Sequence, residues 1–383
     1  MSCDAYLYNT RMPRGLYIHI PFCLKKCHYC DYVITLDRSS GMREQFLTAL
    51  GNEIRHSASR YGRLRFDTLY LGGGTPSAFT ADEMRQVLDA VRRNFDFETG
   101  YELTCEVNPG DVDTAKLQCY RQLGVNRISL GVQSLNEKLL QDMGRPHGVR
   151  EIEEMLAMVR QESFDNVSID LILRLPEQTM EDWQDSLTRA ARFVPGQFSL
   201  YDLDVTEGTV YGVRERRGQL IRASEAIHAQ MMDFAETFLN AEGYTQYDLN
   251  SFARPGFESR HNLIYWHNQE YLGLGPSAFS YLDGTRSQFA PTVSRYLDKC
   301  GKADWQPDLS ETVSPEKKEI ESLLTGLRLR KGFSLTRLAM MRQSVEDKIK
   351  PLIADGFLTQ EDDKIFFTRK GRFVAESIFA QLV

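Results

Sequence analysis

The sequence predicts an α/β protein in which a partial (β/α)6 barrel is followed by a smaller, winged-helix-like α+β module. Six short runs rich in β-branched and aromatic residues each precede a helix-like stretch, which indicates parallel strands joined by right-handed crossovers. Several of these strands alternate apolar with polar residues, a pattern that is unexpected in a parallel sheet covered on both faces. It fits a barrel interior that lines a ligand cavity, and six units instead of eight would leave one side open to a large substrate.

The barrel elements follow one another along the first half of the chain. The strands are expected at residues 16–20, 68–71, 101–107, 127–133, 167–173 and 198–205. The helices between them are expected at residues 42–56, 80–93, 149–161 and 180–193. Thr80 and Glu83 have the spacing of a capping box, so one helix should begin there. In the fourth strand Ile128, Leu130 and Val132 should face packed helices, and Gln133 should face the opposite way.

The pattern changes after residue 206, and the rest of the chain divides into two further parts. Residues 225–241 are expected to form a helix, and residues 244–281 are rich in loops and aromatic residues. From residue 314 onward we expect helices near 316–329 and 335–349, an apolar turn at 352–356, a hairpin at 357–368 and a last helix from Lys370. This order resembles a winged helix. The predicted domains are therefore a barrel at 1–210, a barrel-closing segment at 211–313 and the winged-helix-like module at 314–383.

Composition and net charge limit the partners and the location that we expect for this protein. The chain of 383 residues has 46 Lys and Arg against 53 Asp and Glu, and its net charge of −7 argues against charge-driven binding to nucleic acid or anionic lipid. We therefore expect no nucleic-acid partner, and the winged module should serve packing or a protein partner. No stretch approaches the roughly 20 apolar residues of a membrane span. Residues 1–15 lack the apolar core of a signal peptide, so a cytoplasmic location is expected.

Three of the seven cysteines, Cys23, Cys27 and Cys30, lie within eight residues directly after the first strand. In a barrel enzyme this is the end at which sites are built, and in a reducing compartment such a cluster indicates metal or redox chemistry. The spacing allows one loop to ligate three corners of a [4Fe–4S] cluster. The fourth iron would then be open to the amino and carboxylate groups of S-adenosylmethionine (SAM). A zinc site completed by His19, His28 or Asp31 is the alternative, and a disulfide is another.

Further candidate residues lie at the same end of the later strands. The segment Gly72–Ser77 is neither a P-loop nor a dinucleotide fingerprint, but its glycines would let backbone approach a ligand, or simply form a tight turn. A carboxylate can bind the ribose hydroxyls of SAM, and an arginine or glutamine can hold its carboxylate. The polar side chains placed to do so are Glu106, Gln133, Arg145 and Asp170.

Together these motifs resemble the radical SAM family of oxygen-independent coproporphyrinogen III oxidases and their heme-chaperone relatives, the HemN-like and HemW-like proteins. The resemblance rests on Tyr17-x-His-Ile-Pro-Phe-Cys23, Gly-Gly-Gly-Thr-Pro-Ser, Arg127-x-Ser-Leu-Gly-Val-Gln133, Arg145-x-His147, Asp170-Leu-Ile, Asn250–Gly256, His261–Trp266 and the C-terminal module. It implies a radical SAM barrel with a [4Fe–4S] cluster on the three cysteines, one or two SAM molecules, and a reductant such as flavodoxin or ferredoxin. It also implies that SAM is contacted by Tyr17, Tyr29, Gly73, Gly74, Thr75, Glu106, Gln133, Arg145 and Asp170.

Within that family the likeness favours the HemW-type heme chaperones. True coproporphyrinogen oxidases carry a fourth cysteine where this chain has Tyr32, and they have an N-terminal extension before the cluster, which here begins at residue 23. The segment His261-Asn-x-x-Tyr-Trp266 resembles the motif associated with heme binding in those chaperones, with His261 as the possible heme ligand. The alternative is that this segment only packs. The leading hypothesis is a protein that binds heme and delivers it to recipient hemoproteins.

Three departures from the family pattern keep other hypotheses open. Arg174 stands where glycine is usual, Thr206 replaces an expected glutamate, and Phe279 replaces a histidine. They allow a second function, that of the HemN-like methyltransferases and cyclopropane-forming enzymes, which use two SAM molecules on a small molecule or peptide. Coproporphyrinogen oxidation is a third. The family implies reductive cleavage of SAM to a 5′-deoxyadenosyl radical, but no catalytic residue and no physiological reaction follow from the sequence.

Overall fold

The computed structural model of the protein describes residues 14–383. The chain divides into two compact units, each assembled from separate stretches of sequence. The first contains the described residues up to Leu130 together with 153–164 and 269–312. The second contains residues 131–152, 165–268 and 313–383.

Strands and helices alternate through the first half of the described chain, as predicted. The strands are β1 (Gly15–Ile20), β2 (Arg65–Gly73), β3 (Asp96–Val107), β4 (Arg127–Gln133), β5 (Val167–Leu173), β6 (Gln197–Asp202), β7 (Thr245–Gln246), β8 (Ser251–Ala253), β9 (Tyr271–Leu274), β10 (Phe279–Leu282), β11 (Thr285–Gln288), β12 (Leu309–Thr312), β13 (Phe333–Ser334), β14 (Leu358–Glu361) and β15 (Lys364–Phe367).

The α-helices have the following bounds: α1 (Ser40–Tyr61), α2 (Ala81–Asn94), α3 (Thr114–Gln122), α4 (Glu137–Asp142), α5 (Val149–Gln161), α6 (Met180–Ala191), α7 (Val210–Arg216), α8 (Glu225–Ala241), α9 (Arg260–Trp266), α10 (Val293–Gly301), α11 (Pro315–Leu327), α12 (Arg342–Ala354), α13 (Arg369–Arg372) and α14 (Ala375–Leu382). Short 3-10 helices lie at Pro76–Ala78 and Leu335–Arg337.

The first unit is built on one sheet with strand order β12-β11-β10-β9-β1-β2-β3-β4. Strands β9, β1, β2, β3 and the beginning of β4 are parallel, and β10 to β12 extend the sheet in antiparallel fashion. One face of each central strand is fully buried, as Ile18, Leu71 and Leu130 illustrate. Parallel pairing brings the carboxyl ends of β1 to β3 to the same edge, which is where the candidate residues of this unit lie.

The polar alternation in β3 and β4 is present but does not face water. Glu102, Thr104 and Arg127 are all buried, and Arg127 Nε lies 3.8 Å from Glu102 Oε2. Buried charges persist when they are paired. The predicted polar face of β3 and β4 is therefore confirmed, and its side chains are buried inside the protein.

The second unit has its own sheet segment and a separate small core. Strands β5 and β6 are parallel with Asp170 opposite Ser199, and β8 and β7 continue antiparallel from β6. The C-terminal residues form an antiparallel sheet of order β13-β15-β14 packed with α11, α12 and α14, the arrangement expected of a winged-helix-like module. Its core contains Leu323, Leu327, Phe333, Leu335, Val345, Ile349, Leu352, Ile365, Phe367, Ile378 and Leu382.

Several element boundaries differ from the prediction. The capping box of α2 is confirmed, with Thr80 and Glu83 bonding each other's backbone amides. The predicted helix at 335–349 is wrong at its start because the Ser334 hydroxyl accepts from Thr336 N and caps a 3-10 turn; α12 begins at Arg342. The predicted turn at 352–356 is wrong in its first half because α12 continues through Pro351.

Residues 244–281 are more ordered than predicted, since they contain four short strands and α9. The sixth strand ends at Asp202 and not at residue 205. None of the helices within residues 14–383 combines the length and apolar character needed to cross a bilayer.

Candidate functional site

The three clustered cysteines lie in a loop that leaves the end of β1 and returns beside it. Phe22 and Thr35 form a parallel bridge, in which Cys23 N donates to Thr35 O at 3.1 Å and Thr35 N donates to Pro21 O at 2.7 Å. Inside the loop Cys30 N donates to Cys27 O at 3.2 Å. The loop is thus closed at its base by backbone hydrogen bonds, and Cys23 stands at this closure.

Cys23 is buried beside the glycine-rich segment. Its side chain is 9% exposed, and its Sγ lies 3.4 Å from Thr75 Oγ1. Burial raises the pKa of Cys23 to about 11 and also raises the pKa of Cys30, while Cys27 and Cys30 are half-buried. The raised pKa values keep the thiols of Cys23 and Cys30 protonated unless a metal replaces the proton.

The three cysteines suit a [4Fe–4S] cluster, both in the chemistry of their thiols and in their positions along one loop. Within residues 14–383 no three His, Cys, Asp or Glu side chains are already drawn together closely enough to hold a metal ion. The thiols would therefore have to turn toward a shared cluster, within a loop whose base is fixed. The assignment of all three as ligands stays a prediction from their spacing.

The glycine-rich segment is shaped by its approach to the cysteine loop. Gly73 has φ +109°, and a Cβ there would lie 2.5 Å from His19 Nδ1. A Cβ on Gly74 would lie 2.7 Å from the carbonyl carbon of Pro21. Gly74 N also donates to Ile20 O at 2.9 Å. Side chains at these positions would separate β2 from the base of the cysteine loop.

Glu106 is fixed at the end of β3 by groups from β2. Its Oε2 accepts from Gly73 N at 3.0 Å, and its Oε1 accepts from Tyr70 OH at 2.9 Å. Tyr70 is paired in register with Tyr17, whose hydroxyl lies 3.2 Å from His19 Nδ1. The structure therefore gathers Cys23, Gly73, Thr75 and Glu106, four of the predicted site residues, around one strand edge.

Two positioning residues were missed by the sequence reasoning. Tyr70 holds Glu106, and Asn108 Nδ2 donates to Thr75 Oγ1 at 2.9 Å. The signal for Tyr70 was present in the sequence, because it alternates with the buried Leu69 and Leu71 along β2. Tyr29 is half-buried in the cysteine loop, and its role stays as predicted from the resemblance.

The second unit carries Gln133, Arg145 and Asp170. Gln133 has φ +68°, and its Oε1 is buried with no hydrogen-bond partner in the described part of the chain. A left-handed backbone costs free energy in a residue other than glycine, and so does a buried amide oxygen that lacks a hydrogen-bond partner. Both features are therefore consistent with a residue that binds a ligand. Arg145 donates to Gly131 O at 2.6 Å, and Asp170 Oδ1 accepts from Ser168 Oγ at 3.4 Å.

His261 lies in the first turn of α9 and is buried, with 1% of its surface exposed. Its Nε2 lies 2.8 Å from Tyr265 OH, and the two rings meet edge to face at 5.1 Å. Trp266 Nε1 donates to Asp248 Oδ2 at 2.9 Å, and burial raises the pKa of that carboxyl. Ligation of heme iron by His261 would require the Tyr265 hydroxyl to give up this contact.

The three departures from the family pattern occupy different environments. Arg174 follows β5 directly with φ +61°, and its guanidinium bonds Asp202 at 3.0 Å and Glu225 at 2.8 Å. The positive φ explains why glycine suits this position. Thr206 accepts from Thr209 through its carbonyl, and Phe279 on β10 is 38% exposed.

The chain is similar to known proteins both in its domains and over nearly its whole length. The model of the radical SAM superfamily matches residues 17–190, and that of the HemN C-terminal domain matches residues 313–374. Proteins named heme chaperone HemW are similar over nearly the whole length. The protein from Synechocystis sp. is 36% identical, covering 91% of this chain and 85% of its own. Those from Bacillus subtilis and Escherichia coli are each 30% identical over 96% of this chain, covering 98% and 97% of their own.

A solved structure shares the fold. Coproporphyrinogen III oxidase (HemN) from Escherichia coli, described as a radical SAM enzyme, superposes with a TM-score of 0.85. The match covers 98% of this chain and 91% of that chain at 23% identity. The predicted α/β fold, with its partial barrel and C-terminal module, is confirmed by this likeness.

Proposed function

Since the chain belongs to the HemN-like and HemW-like family of the radical SAM superfamily, whose cofactors are a [4Fe–4S] cluster and SAM, we propose that it binds heme and delivers it to hemoproteins. The observation that carries the proposal is the similarity to heme chaperone HemW, at 36% identity over 91% of the chain. The absence of a fourth cysteine at Tyr32 supports it as well. A reductant and recipient hemoproteins are the partners that this function requires. The cytoplasmic location predicted from the sequence is retained.

The cysteine loop is the proposed ligand set for the cluster. When bound, the cluster and SAM supply reductive cleavage of the SAM sulfonium. Cys23 would bind from a buried position, where burial disfavours a free thiolate, and Cys27 and Cys30 from half-buried positions in the loop. The closed base of the loop would keep this ligand set close to β1.

Cys23→Ala tests the cluster assignment. The variant should fail to develop the brown iron–sulfur absorbance on anaerobic reconstitution. Cys119→Ala is the matched control, because Cys119 is equally buried but lies on α3 outside the loop. Equal absorbance in wild type and Cys23→Ala would remove Cys23 from the ligand set.

The residues that we propose to contact SAM are those that the family resemblance implies. Glu106 is oriented by Tyr70 OH and Gly73 N to accept from the ribose hydroxyls; Gly73 ends β2 beside it, and Gly74 follows. Gln133 would satisfy its buried amide oxygen on the ligand, and Arg145 and Asp170 would supply further polar contacts. Tyr17, Tyr29 and Thr75 complete the proposed set.

The heme ligand proposed within α9 is His261. An imidazole can ligate heme iron, and Tyr265 and Trp266 supply aromatic surface for the macrocycle. Because Nε2 already contacts the Tyr265 hydroxyl, heme would compete with this contact. Tyr265→Phe removes the competitor while keeping the ring.

An anaerobic hemin titration of the cluster-reconstituted protein, followed by absorbance, tests the heme proposal. Wild type should saturate at about one heme per chain, His261→Ala should lose the ligated band, and Tyr265→Phe should bind more tightly. His267→Ala is the control, since His267 directly follows the same helix. Folding of each variant is checked by circular dichroism.

The possible outcomes distinguish heme binding itself from the role of His261 as its ligand. Saturable binding that persists in folded His261→Ala would keep heme binding but remove His261 as the ligand. Absence of saturable binding in wild type would contradict the heme proposal itself. The search would then turn to a small-molecule or peptide substrate that SAM chemistry alkylates.

A further inference from the structure

Arg145, one of the residues proposed to contact SAM, is held by two neighbouring groups. Its Nη2 donates to Gly131 O at 2.6 Å, and its Nε and Nη2 lie 3.3 Å and 3.1 Å from His147 Nε2. Gly131 lies on β4 two residues before Gln133, whose amide oxygen has no hydrogen-bond partner among residues 14–383. The guanidinium is therefore fixed near the end of β4, close in sequence to another residue proposed to contact SAM.

The contacts with Arg145 decide which ring nitrogen of His147 carries the proton. A guanidinium can only donate, so Nε2 must accept from it and carries no hydrogen. In a neutral imidazole the proton then lies on Nδ1. His147 Nδ1 is buried and has no hydrogen-bond partner within the described part of the chain. The imidazole is thus oriented by Arg145, and its Nδ1–H is left unpaired among those residues.

The surroundings of His147 keep its imidazole neutral. The side chain is 8% exposed, and burial, followed by the charge of Arg145, lowers the pKa of His147 to about 3. Glu151 acts in the opposite direction, but its carboxylate accepts from Gly148 N at 3.0 Å and from Arg150 Nη2 at 3.0 Å. Near neutral pH the imidazole therefore presents Nε2 as an acceptor and adds no second positive charge beside the guanidinium.

Packing alone does not account for a histidine at this position. A buried N–H without a partner costs free energy, and an apolar side chain of similar size would avoid that cost. What the imidazole supplies instead is one acceptor, Nε2, to two N–H groups of the same guanidinium. The buried His147 is better explained by its action on Arg145 than by filling the core.

We propose that His147 is a positioning residue of the SAM site, whose imidazole holds the Arg145 guanidinium in the orientation that binds the SAM carboxylate. The inference rests on the proposed role of Arg145 in SAM binding. Without the imidazole, Arg145 keeps its bond to Gly131 O but loses one of its anchors, so other side-chain conformations become populated. The fraction of protein with a correctly oriented Arg145 falls, and the apparent affinity for SAM falls in proportion.

Two amide substitutions separate an acceptor at the right place from one at the wrong place. The amide oxygen of glutamine can reach the place of His147 Nε2, whereas that of asparagine reaches only the place of Nδ1. Calorimetric titration of SAM into cluster-reconstituted protein should give His147→Gln an affinity within about twofold of wild type, and His147→Asn an affinity about fivefold or more weaker. Circular dichroism and iron content verify that both variants are folded and hold the cluster.

A double-mutant cycle asks whether His147 acts through Arg145. An absent guanidinium cannot be positioned, so His147→Asn should change SAM affinity by no more than about twofold in the Arg145→Ala background, against about fivefold or more in the wild-type background. An equal loss in both backgrounds would mean that His147 affects SAM independently of Arg145, and the proposal would be wrong.

Nitrogen NMR of the iron-free apoprotein, with isotope-labelled histidine, tests the imidazole without SAM. The ring signals of His147, assigned by their loss in His147→Gln, should be those of the neutral Nδ1–H tautomer and should not change from about pH 5 to about pH 8. An Nε2–H tautomer, or titration near the usual histidine pKa, would contradict the proposal because Nε2 could not then accept from Arg145.

The failures of the two proposals can be told apart. Wild-type SAM affinity in folded His147→Asn would overturn the positioning role while leaving Arg145 as a SAM contact. Unchanged SAM affinity in Arg145→Ala would remove Arg145 from the SAM site, and the role of His147 would fall with it. The hemin titration is independent of both results.

Discussion

At the scale of single residues, the proposed site depends on side chains whose positions are fixed before any ligand binds. Glu106 accepts from Gly73 N and Tyr70 OH, so its carboxylate is oriented by β2. Gln133 is held in a left-handed conformation, and its amide oxygen has no hydrogen-bond partner among residues 14–383. Such preorganisation lowers the cost of ordering on binding.

Glu106→Ala should weaken SAM binding by about 1.5–3 kcal/mol, the usual value of a hydrogen bond to a charged group. Tyr70→Phe should have a smaller effect, because Tyr70 only positions the carboxylate. Calorimetric titration of SAM into reconstituted protein measures both, with Glu98→Ala as an exposed control on the same strand. Unchanged SAM affinity in Glu106→Ala would remove Glu106 from the site.

Arg174 combines a strained backbone with two ion pairs, and the two contributions can be separated. Both Arg174→Gly and Arg174→Ala remove the contacts with Asp202 and Glu225, but only glycine relieves φ +61°. The glycine variant should be more stable than the alanine variant by about 1 kcal/mol. Urea unfolding of both variants measures the difference, and equal midpoints would show that the backbone stores no strain there.

At the scale of elements, β2 packs against the base of the cysteine loop and so connects the glycine-rich segment to the proposed cluster ligands. Gly74 N bonds Ile20 O, and no space remains for a side chain at this position. The glycines thus have a packing reason to be present, beside the ligand contact inferred from the sequence. The packing contact and the inferred ligand contact both lie at the end of β2.

Gly74→Ala should destabilise the protein by about 1–3 kcal/mol through overpacking against Pro21, and should reduce the yield of reconstituted cluster. Gly208→Ala is the control, since a Cβ there would meet nothing within 4 Å. Urea unfolding and iron content report the two effects. Normal stability and normal iron content in Gly74→Ala would mean that the loop base can move freely.

The elements also show what the sequence could and could not predict. The β/α alternation and the Thr80 cap follow from local periodicity and spacing, so they were predictable. Strands β7 to β10 contain only two to four residues each, too few for a period to be visible. The alternation along β2 predicts only that Tyr70 faces away from Leu69 and Leu71. Its hydrogen bond to Glu106 and the burial of His261 are tertiary features, which no local pattern encodes.

At the scale of the whole molecule, a buried acid in the first unit connects stability to pH. Glu53 on α1 accepts from Gly275 N at 2.8 Å and from Tyr296 OH at 2.7 Å. Burial dominates these bonds and raises the pKa of Glu53 from 4.5 to about 7. The folded state therefore holds a proton that the unfolded state releases between these two values.

Stability should fall as pH rises through this window, by up to about 3 kcal/mol from Glu53 alone, and level off above pH 7. Glu53→Gln keeps an acceptor for both donors and cannot ionise, so it should remove this contribution. The measurement is the urea midpoint of the apoprotein at several pH values for both proteins. A difference between them that does not change from about pH 4.5 to about pH 7 would contradict the assignment.

A transfer experiment is the most direct test of the proposal that the protein delivers heme. Cluster-reconstituted protein loaded with one heme is mixed anaerobically with an apo-hemoprotein, and the holo spectrum is followed in time. If the protein delivers heme, the rate of transfer should rise with recipient concentration and exceed the rate at which heme escapes to a scavenger alone. Transfer that never exceeds this escape rate would show that heme passes only through solution, and would contradict a delivery function.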